Sequence, residues 1–330
     1  MRRSAAVLLA AMAAGCGRYA DFTLPPAEGA LREMTYTFEA QTEPVMTRGG
    51  FADVLNPSVV RAGSLYYNLY SAYDGAVWRT RLATSADGTR WTDHGTVLSP
   101  GPADWEGGYI AANGTALHQD EFLYWYQAGP KGAPRIGLAR SRDGRAWEKH
   151  PEPVLGFGPR GAWDERAAAD PYVIRAGEYL YLYYLGQDRA RRQRLGVARS
   201  RDGVRWTRLR ANPVLEPGEP GAFDEEGLGE PAVWTAHGWW WMLYTGRDRH
   251  ENRRLGLARS RDGVNWRKLP AVFSGAQPWN LKVVCDPAVE MRADGVRVWF
   301  GGGDAASPDE NLHGQIGIGW LRPVNATLAK

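Results

Sequence analysis

Cysteine is nearly absent from this 330-residue chain, which has only Cys16 and Cys285. No disulfide framework can be built from so few, so the fold must stand on its packed core. Long apolar runs are missing too: Ala5–Ala14 is too short for a membrane span and nothing later approaches one. Lysine is scarce, with five against 35 arginines, and the formal charge is only +3. Loss of Arg2 and Arg3 with a leader would reduce it to +1, too little to suggest nucleic-acid or anionic-membrane binding. What is abundant is glycine, proline and aromatic side chains: 40 Gly, 21 Pro, 15 Trp and 15 Tyr. Scattered turn formers and strand-favouring aromatics describe a β-rich globular protein.

The N-terminus reads as an address. Arg2-Arg3 precede the apolar stretch, and Ala13-Ala14-Gly15-Cys16 follows it. That order resembles a bacterial lipobox, in which Cys16 is acylated and becomes the mature N-terminus, placing the protein in the cell envelope. An ordinary secretory signal cleaved near Ala14 is the alternative. On this reading residues 1–15 are leader, 16–30 a flexible lipid-anchored tether containing Pro25-Pro26, 31–325 the folded domain and 326–330 a tail.

The domain is an internal repeat. Ser85 to Trp91 recurs as Ser141 to Trp147, Ser200 to Trp206 and Ser260 to Trp266, at steps of 56, 59 and 60 residues. Each copy carries an Asp-Gly turn, a hairpin signal, and is preceded by an alternating stretch and an aromatic strand. Every unit therefore reads as four short antiparallel strands, the composition of a propeller blade. A fifth unit opens at Asp286-Pro287 and lacks its last strand. Phe38–Val45 parallels Trp147–Val154 and supplies it. The expected fold is all-β: a five-bladed β-propeller whose last blade is closed by the N-terminal strand. Blades begin near 51, 105, 163, 223 and 279.

The Asp of each Asp-Gly turn repeats and is read as structural. Trp105, Trp163, Phe223 and Trp279 repeat as well; packing is their first reading, with a sugar-stacking role for Trp105 and Trp163 as the alternative. What varies is the residue opening each first strand: Asn56, Asn113, Asp170, Glu230 and Asp286, at steps of 57, 57, 60 and 56. First strands line a propeller's channel, so these five side chains should ring its mouth. Converging carboxylates suit acid–base chemistry at a sugar, and a ring of polar strand caps is the competing reading.

With these acids in place, the chain resembles the five-bladed propeller glycoside hydrolases of families 43 and 62, with families 32, 68 and 130 as relatives. The resemblance spans about residues 31–325. It implies Glu230 as general acid and Asp170 as the residue that tunes its pKa. The position of the general base carries Asn56 instead of Asp, so the base is left to Asp53, three residues upstream, or to Asp286. The family 130 relatives are phosphorolytic and manage with a lone direct acid. Arg166 and Lys282, at non-repeated positions, are candidates for binding phosphate or a uronate, with Asn56 and Asn113 as further substrate contacts. No cofactor is expected, and a channel Ca²⁺ near His313 is the one metal candidate. The Ser-x-Asp-Gly-x-x-Trp repeat also resembles the sialidase Asp-box, but it is one residue short. The expected partner is a glycan and the expected state a monomer. A non-catalytic carbohydrate-binding lipoprotein is the alternative function.

Overall fold

The computed structural model describes residues 18–101 and 105–325. The leader, Cys16 and the 326–330 tail lie outside the described residues.

Two strands precede the repeats, β1 (Tyr19–Ala20) and β2 (Met34–Ala40). The first repeat holds β3 (Asp53–Leu55), β4 (Val59–Ala62), β5 (Leu65–Tyr73), β6 (Trp78–Ser85) and β7 (Thr92–Leu98). The second holds β8 (Ile110–His118), β9 (Phe122–Gly129), β10 (Arg135–Ser141) and β11 (Glu148–Lys149). The third holds β12 (Ala167–Ala176), β13 (Tyr179–Gln187), β14 (Gln193–Ser200) and β15 (Thr207–Leu209). The fourth holds β16 (Gly227–Ala236), β17 (Trp239–Arg247), β18 (Arg253–Ser260) and β19 (Trp266–Phe273). The last holds β20 (Val283–Arg292), β21 (Gly295–Gly303) and β22 (Gln315–Asn325).

Within each repeat neighbouring strands pair antiparallel. The break between β3 and β4 makes them one interrupted first strand, both halves pairing with β5. The last repeat takes its outer strand from the N-terminus: β2 runs antiparallel to β22, from Met34↔Asn325 to Ala40↔Gly319. The chain then returns as Met46 bridges Ile316, just as Leu155 bridges Ile136 and Leu215 bridges Leu195. This match is why the Phe38–Val45 likeness could be seen in the sequence. The architecture is an all-β propeller with its last repeat closed from the other end of the chain.

The repeated motif is a turn that stitches neighbours together. In Ser85–Trp91, Asp87 accepts the amides of Thr89 and Arg90 while Ser85 Oγ accepts that of Gly88. Those amides hold the Asp87 carboxyl well below its usual range. Gly88, Gly144, Gly203 and Gly263 all have φ between 73° and 79°, where a side chain is strained. Three of their carbonyls receive aromatic donors from the preceding repeat: Trp299 Nε1 on Gly88 and Trp125 Nε1 on Gly203, both at 2.8 Å, and Tyr183 Oη on Gly263 at 2.6 Å.

The aromatic before each first strand is a packing residue. A Cβ on Gly186 or Gly196 would lie 2.2–2.3 Å from Trp163, and one on Gly137 would lie 2.9 Å from Trp105. The small glycine faces exist to admit these rings. The next residue is an acid in three repeats: Glu106, Asp164 and Asp224 are buried, each accepting a second-strand Tyr hydroxyl and pairing with a fourth-strand cation.

The expectation of a flexible tether is overturned for residues 18–30. Tyr19–Ala20 pairs parallel with β15. Phe22 packs on Tyr181 under the Arg199 guanidinium, and Leu24 is 3% exposed. The Leu24 amide donates to Asp262 O, the Trp240 indole donates to Pro25 O, and the Gly238 amide to Glu28 O. Alternating apolar residues on an extended segment fill the groove between the third and fourth repeats, and Pro25-Pro26 keeps that segment extended. Leu24→Ala should therefore destabilise the fold by about 2–4 kcal/mol. A thermal melt unchanged by this substitution would mean that the belt is not docked.

Candidate functional site

Asn56, Asn113, Asp170, Glu230 and Asp286 share a backbone conformation that L-residues rarely adopt. Their φ angles are 50°, 49°, 48°, 50° and 52°. Each sits at a bulge: the ladder shifts register across Ala112/Gly114, Ala169/Tyr172, Gly229/Ala232 and Cys285/Ala288, and in the first repeat it is interrupted between β3 and β4. A bulge re-aims one side chain out of the alternating pattern. Proline follows in four of the five, so the broken ladder leaves no orphan donor there. The second repeat has Gly114, where a Cβ would lie 2.1 Å from the Trp125 carbonyl oxygen. Asn and Asp tolerate this conformation. Glu230 does not share their short side chain, and the left-handed state costs it about 1–2 kcal/mol. Strain of this kind is retained where position matters.

The bulges bring the acids together through one repeated contact. The Glu230 amide donates to Asp170 Oδ2 at 3.2 Å, and the Asp286 amide donates to Glu230 Oε2 at 3.2 Å. The Asn56 amide donates to Asp286 Oδ2 at 3.3 Å, and its side-chain amide donates to Asp286 Oδ1. Glu230, Asp286 and Asn56 thus each hand their N–H to the carboxylate of the repeat before, while the Asn113 amide donates to Ser71 Oγ at 2.9 Å. Asn113 Nδ2 donates to Asp170 Oδ1 at 2.7 Å, and Gln127 Oε1 accepts from both Asn113 and the Asp170 amide. The Cys285 thiol donates to Asp286 Oδ2 at 3.0 Å.

Burial and proximity keep protons on this cluster. Asp170 is pushed up to about 7, first by burial and then by the Glu230 charge. Asp286 is raised well above its usual range by the same two causes in the same order. Glu230, Asp286 and Cys285 present ligand atoms within 4.8 Å of one another. Burial raises the Cys285 thiol far above its usual pKa, so it is an inert neighbour. The Arg253 guanidinium stands against the cluster; burial works against its charge, and the surrounding acids more than offset that.

All five ring residues line two cavities, one on each side of the ring. The mouth, about 220 Å³, is walled by Trp78, Tyr109, Gln127, Lys131, Arg247 and Arg253. The lower chamber, about 350 Å³, is bounded by the continuing first strands and by Arg61, Tyr66 and Glu290. Tyr172 reaches from the third repeat to hydrogen-bond the Val289 backbone in the fifth. The mouth, where the first strands begin, is the candidate active site.

Several expected residues are elsewhere. Asp53 is fully buried, and its two oxygens accept the amides of Asn311 at 2.6 Å and Gly314 at 2.8 Å. It lines neither cavity and pins a connection. Trp105 and Trp163 line neither cavity, being spent on packing inside their repeats. Arg166 and Lys282 are exposed and also outside both. His313 is exposed and bonds Asp304 Oδ1 at 2.6 Å, away from the channel lining, so it does not fit a channel Ca²⁺ site. Among the described residues, the Glu230–Cys285–Asp286 cluster offers a thiol where Ca²⁺ takes oxygen ligands, so it fits Ca²⁺ no better. Sequence reasoning missed Arg253, Gln127 and Thr245. Arg253 opens the third strand of its repeat where the third repeat has Gln193, and that difference was the available signal.

Residues 111–295, more than half of the chain, match the glycosyl hydrolases family 32 N-terminal domain. The chain belongs to that family. A Mycobacterium tuberculosis protein described as uncharacterized is 26% identical over 227 residues, covering 64% of this chain and 75% of its own length. A β-1,2-mannobiose phosphorylase from Listeria innocua, solved with β-1,2-mannobiose, superimposes with a TM-score of 0.69 over 87% of this chain and 97% of that chain, at 12% identity. A thermostable family-43 glycoside hydrolase does so with a TM-score of 0.63 over 84% and 91%, at 16% identity. The likeness to these two structures is one of fold. This family 32 relative is glycosidase-like, with its acids on the propeller axis.

A raised folded-state pKa has a stability consequence. Unfolded Asp loses its proton near pH 4, whereas Asp170 keeps it to about 7, so its ionisation erodes stability as pH rises through that window. Asp170→Asn should raise the melting temperature at pH 8 and change it little at pH 4. No gain at pH 8 would mean that the Asp170 charge is accommodated without penalty.

Proposed function

We propose that the protein is a glycoside hydrolase in which Glu230 protonates the leaving oxygen, Asp170 tunes that proton and Asp286 acts as the second carboxylate. The observation that carries this reading is the chain of amide-to-carboxylate contacts joining the three acids over one cavity. Like charges this close resist ionising together: burial first and the Glu230 charge second raise Asp286 well above its usual range. To act as the second carboxylate, Asp286 has to give up its proton against that tendency. Asn56 then has a clear task. The Asn56 carboxamide lacks the basicity to deprotonate water, but its Nδ2 donates to Asp286 beside the backbone N–H and stabilises the ionised form, where an Asp side chain would repel it. One oxygen of Glu230 and one of Asp286 lie within 4.8 Å, closer than the about 6.5–9.5 Å of an inverting pair, which favours retention.

We place the enzyme at the cell envelope, held by acylated Cys16; mass spectrometry finding a lipid-modified Cys at the mature N-terminus tests this. Binding of a carbohydrate without turnover is the second reading, favoured by Asn56 standing where a base is expected.

The test is turnover of a panel of aryl furanosides and pyranosides, with calorimetric binding in parallel. Glu230→Gln and Asp286→Asn should each lower kcat by about 10²–10⁴-fold. Asn56→Asp should lower it too. A rise in activity with Asn56→Asp would show that a base was simply missing, and sugar binding unaccompanied by turnover in every variant would select the second reading.

A further inference from the structure

The five connections between second and third strands differ in one respect. Four are short: 74–77, 130–134, 188–192 and 248–252. The fifth, 304–314, is eleven residues long and does not stay within its own repeat. Towards the fourth repeat, Arg253 donates to the carbonyls of Ser307 at 3.2 Å and Pro308 at 2.7 Å. Towards the first, buried Asp53 accepts the amides of Asn311 and Gly314, and fully buried Leu312 packs in a cluster with Leu55 and Trp78. Towards the second, Glu310 accepts the Tyr109 hydroxyl at 2.8 Å and Lys131 Nζ at 2.5 Å. The segment therefore leaves the fifth repeat, passes the first and is clasped to the second. Its Pro308 and Asp309 form part of the mouth wall beside Lys131 and Tyr109.

We propose that segment 304–314 is the specificity wall of this site, and that the Glu310 clasp to Lys131 and Tyr109 restricts the mouth to the terminal sugar of a glycan. A propeller mouth with only short connections is open between repeats, so a chain can lie across it. Here the strap closes the side between the fifth and second repeats, and the remaining volume is small. The C-terminal end of the wall is fixed by buried groups: Asp53 holds two amides with one carboxylate, and Leu312 fills the core behind. The clasp is its accessible part, since the Lys131 side chain is 54% exposed whereas that of Glu310 is 12% exposed. Glu310 is the positioning residue. Without its charge, Lys131 and the Tyr109 hydroxyl lose their common acceptor and the mouth opens on that side.

The inference rests on the hydrolase reading above, so two measurements separate them. The first needs no substrate: hydrogen exchange of the full chain. The amides of Asn311 and Gly314 should exchange slowly in the wild type, and exchange across 306–310, beside the clasp, should be at least tenfold faster in Glu310→Gln and Lys131→Ala than in the wild type. Fast exchange in the wild type overturns the wall. The second uses reducing-end-tagged oligosaccharides of whichever sugar the aryl-glycoside panel selects. The wild type should release single terminal residues only. In the clasp variants internal fragments should appear, and KM for the aryl glycoside should rise about tenfold while kcat changes less than threefold. Internal cleavage by the wild type, or an unchanged product profile and KM in both variants, overturns the proposal. If the wild type turns over none of the panel, the hydrolase reading fails and the exchange data alone decide whether the strap is a fixed wall.

Discussion

The site depends on one backbone event repeated around the axis: a residue forced into the left-handed conformation at the same point of each first strand. That conformation breaks the ladder, lifts one side chain out of the alternating pattern and frees one amide. At Glu230, Asp286 and Asn56 the freed amide then meets the carboxylate of the neighbouring repeat. Position, charge and contact thus come from a single local strain, held in place by the sheets on both sides. The remainder of each repeat serves to keep that strain from relaxing. Glycine faces admit the ring of Trp163 or Phe223, Asp-Gly carbonyls accept donors from the repeat before, and Asp164 and Asp224 bind tyrosine and cation inside.

The chain carries two kinds of carboxylate, and physical setting distinguishes them. Glu106, Asp164 and Asp224 are buried but each has a cation beside it. Asp170 and Asp286 are buried among other acids, with Arg253 as the nearby counter-charge, and burial raises both. The first kind makes the sheets; the second keeps protons ready. An acid kept protonated at neutral pH is one whose ionisation costs stability, and the strained φ of Glu230 is a second local cost at the same place.

Much of this was legible in the sequence because the repeat is strong. The Asp-Gly-x-x-Trp copies fix the strand count of each unit, and their spacing places Asn56, Asn113, Asp170, Glu230 and Asp286 at equivalent points. The left-handed conformation was not legible, although the proline after four of the five positions is its trace. Asp53 was misread because its distance along the chain from Asn56 is short, while a buried carboxylate answers to what lies across space, here the amides of Asn311 and Gly314. Trp105 and Trp163 were offered to sugar because aromatic rings suit both roles; the glycines opposite them decide it. The N-terminal belt was taken for a tether because Pro and small residues suggest disorder, yet Phe22 and Leu24 carry an extended-strand alternation over too few residues to register.

The pairing of β2 with β22 also sets an order of events during synthesis. The strand that closes the ring leaves the ribosome well before its partner, which follows all the other repeats. Until then β2 has no sheet to join, and the fifth repeat cannot be completed. Earlier repeats can form in turn as each hairpin appears, but the axial cluster needs Asp286 and the returning Asn56 side by side. Closure of the ring therefore waits for the fifth repeat. A nascent chain halted before residue 315 would hold the residues of the Asp170–Glu230 and Glu230–Asp286 contacts but no β22 for β2 to pair with.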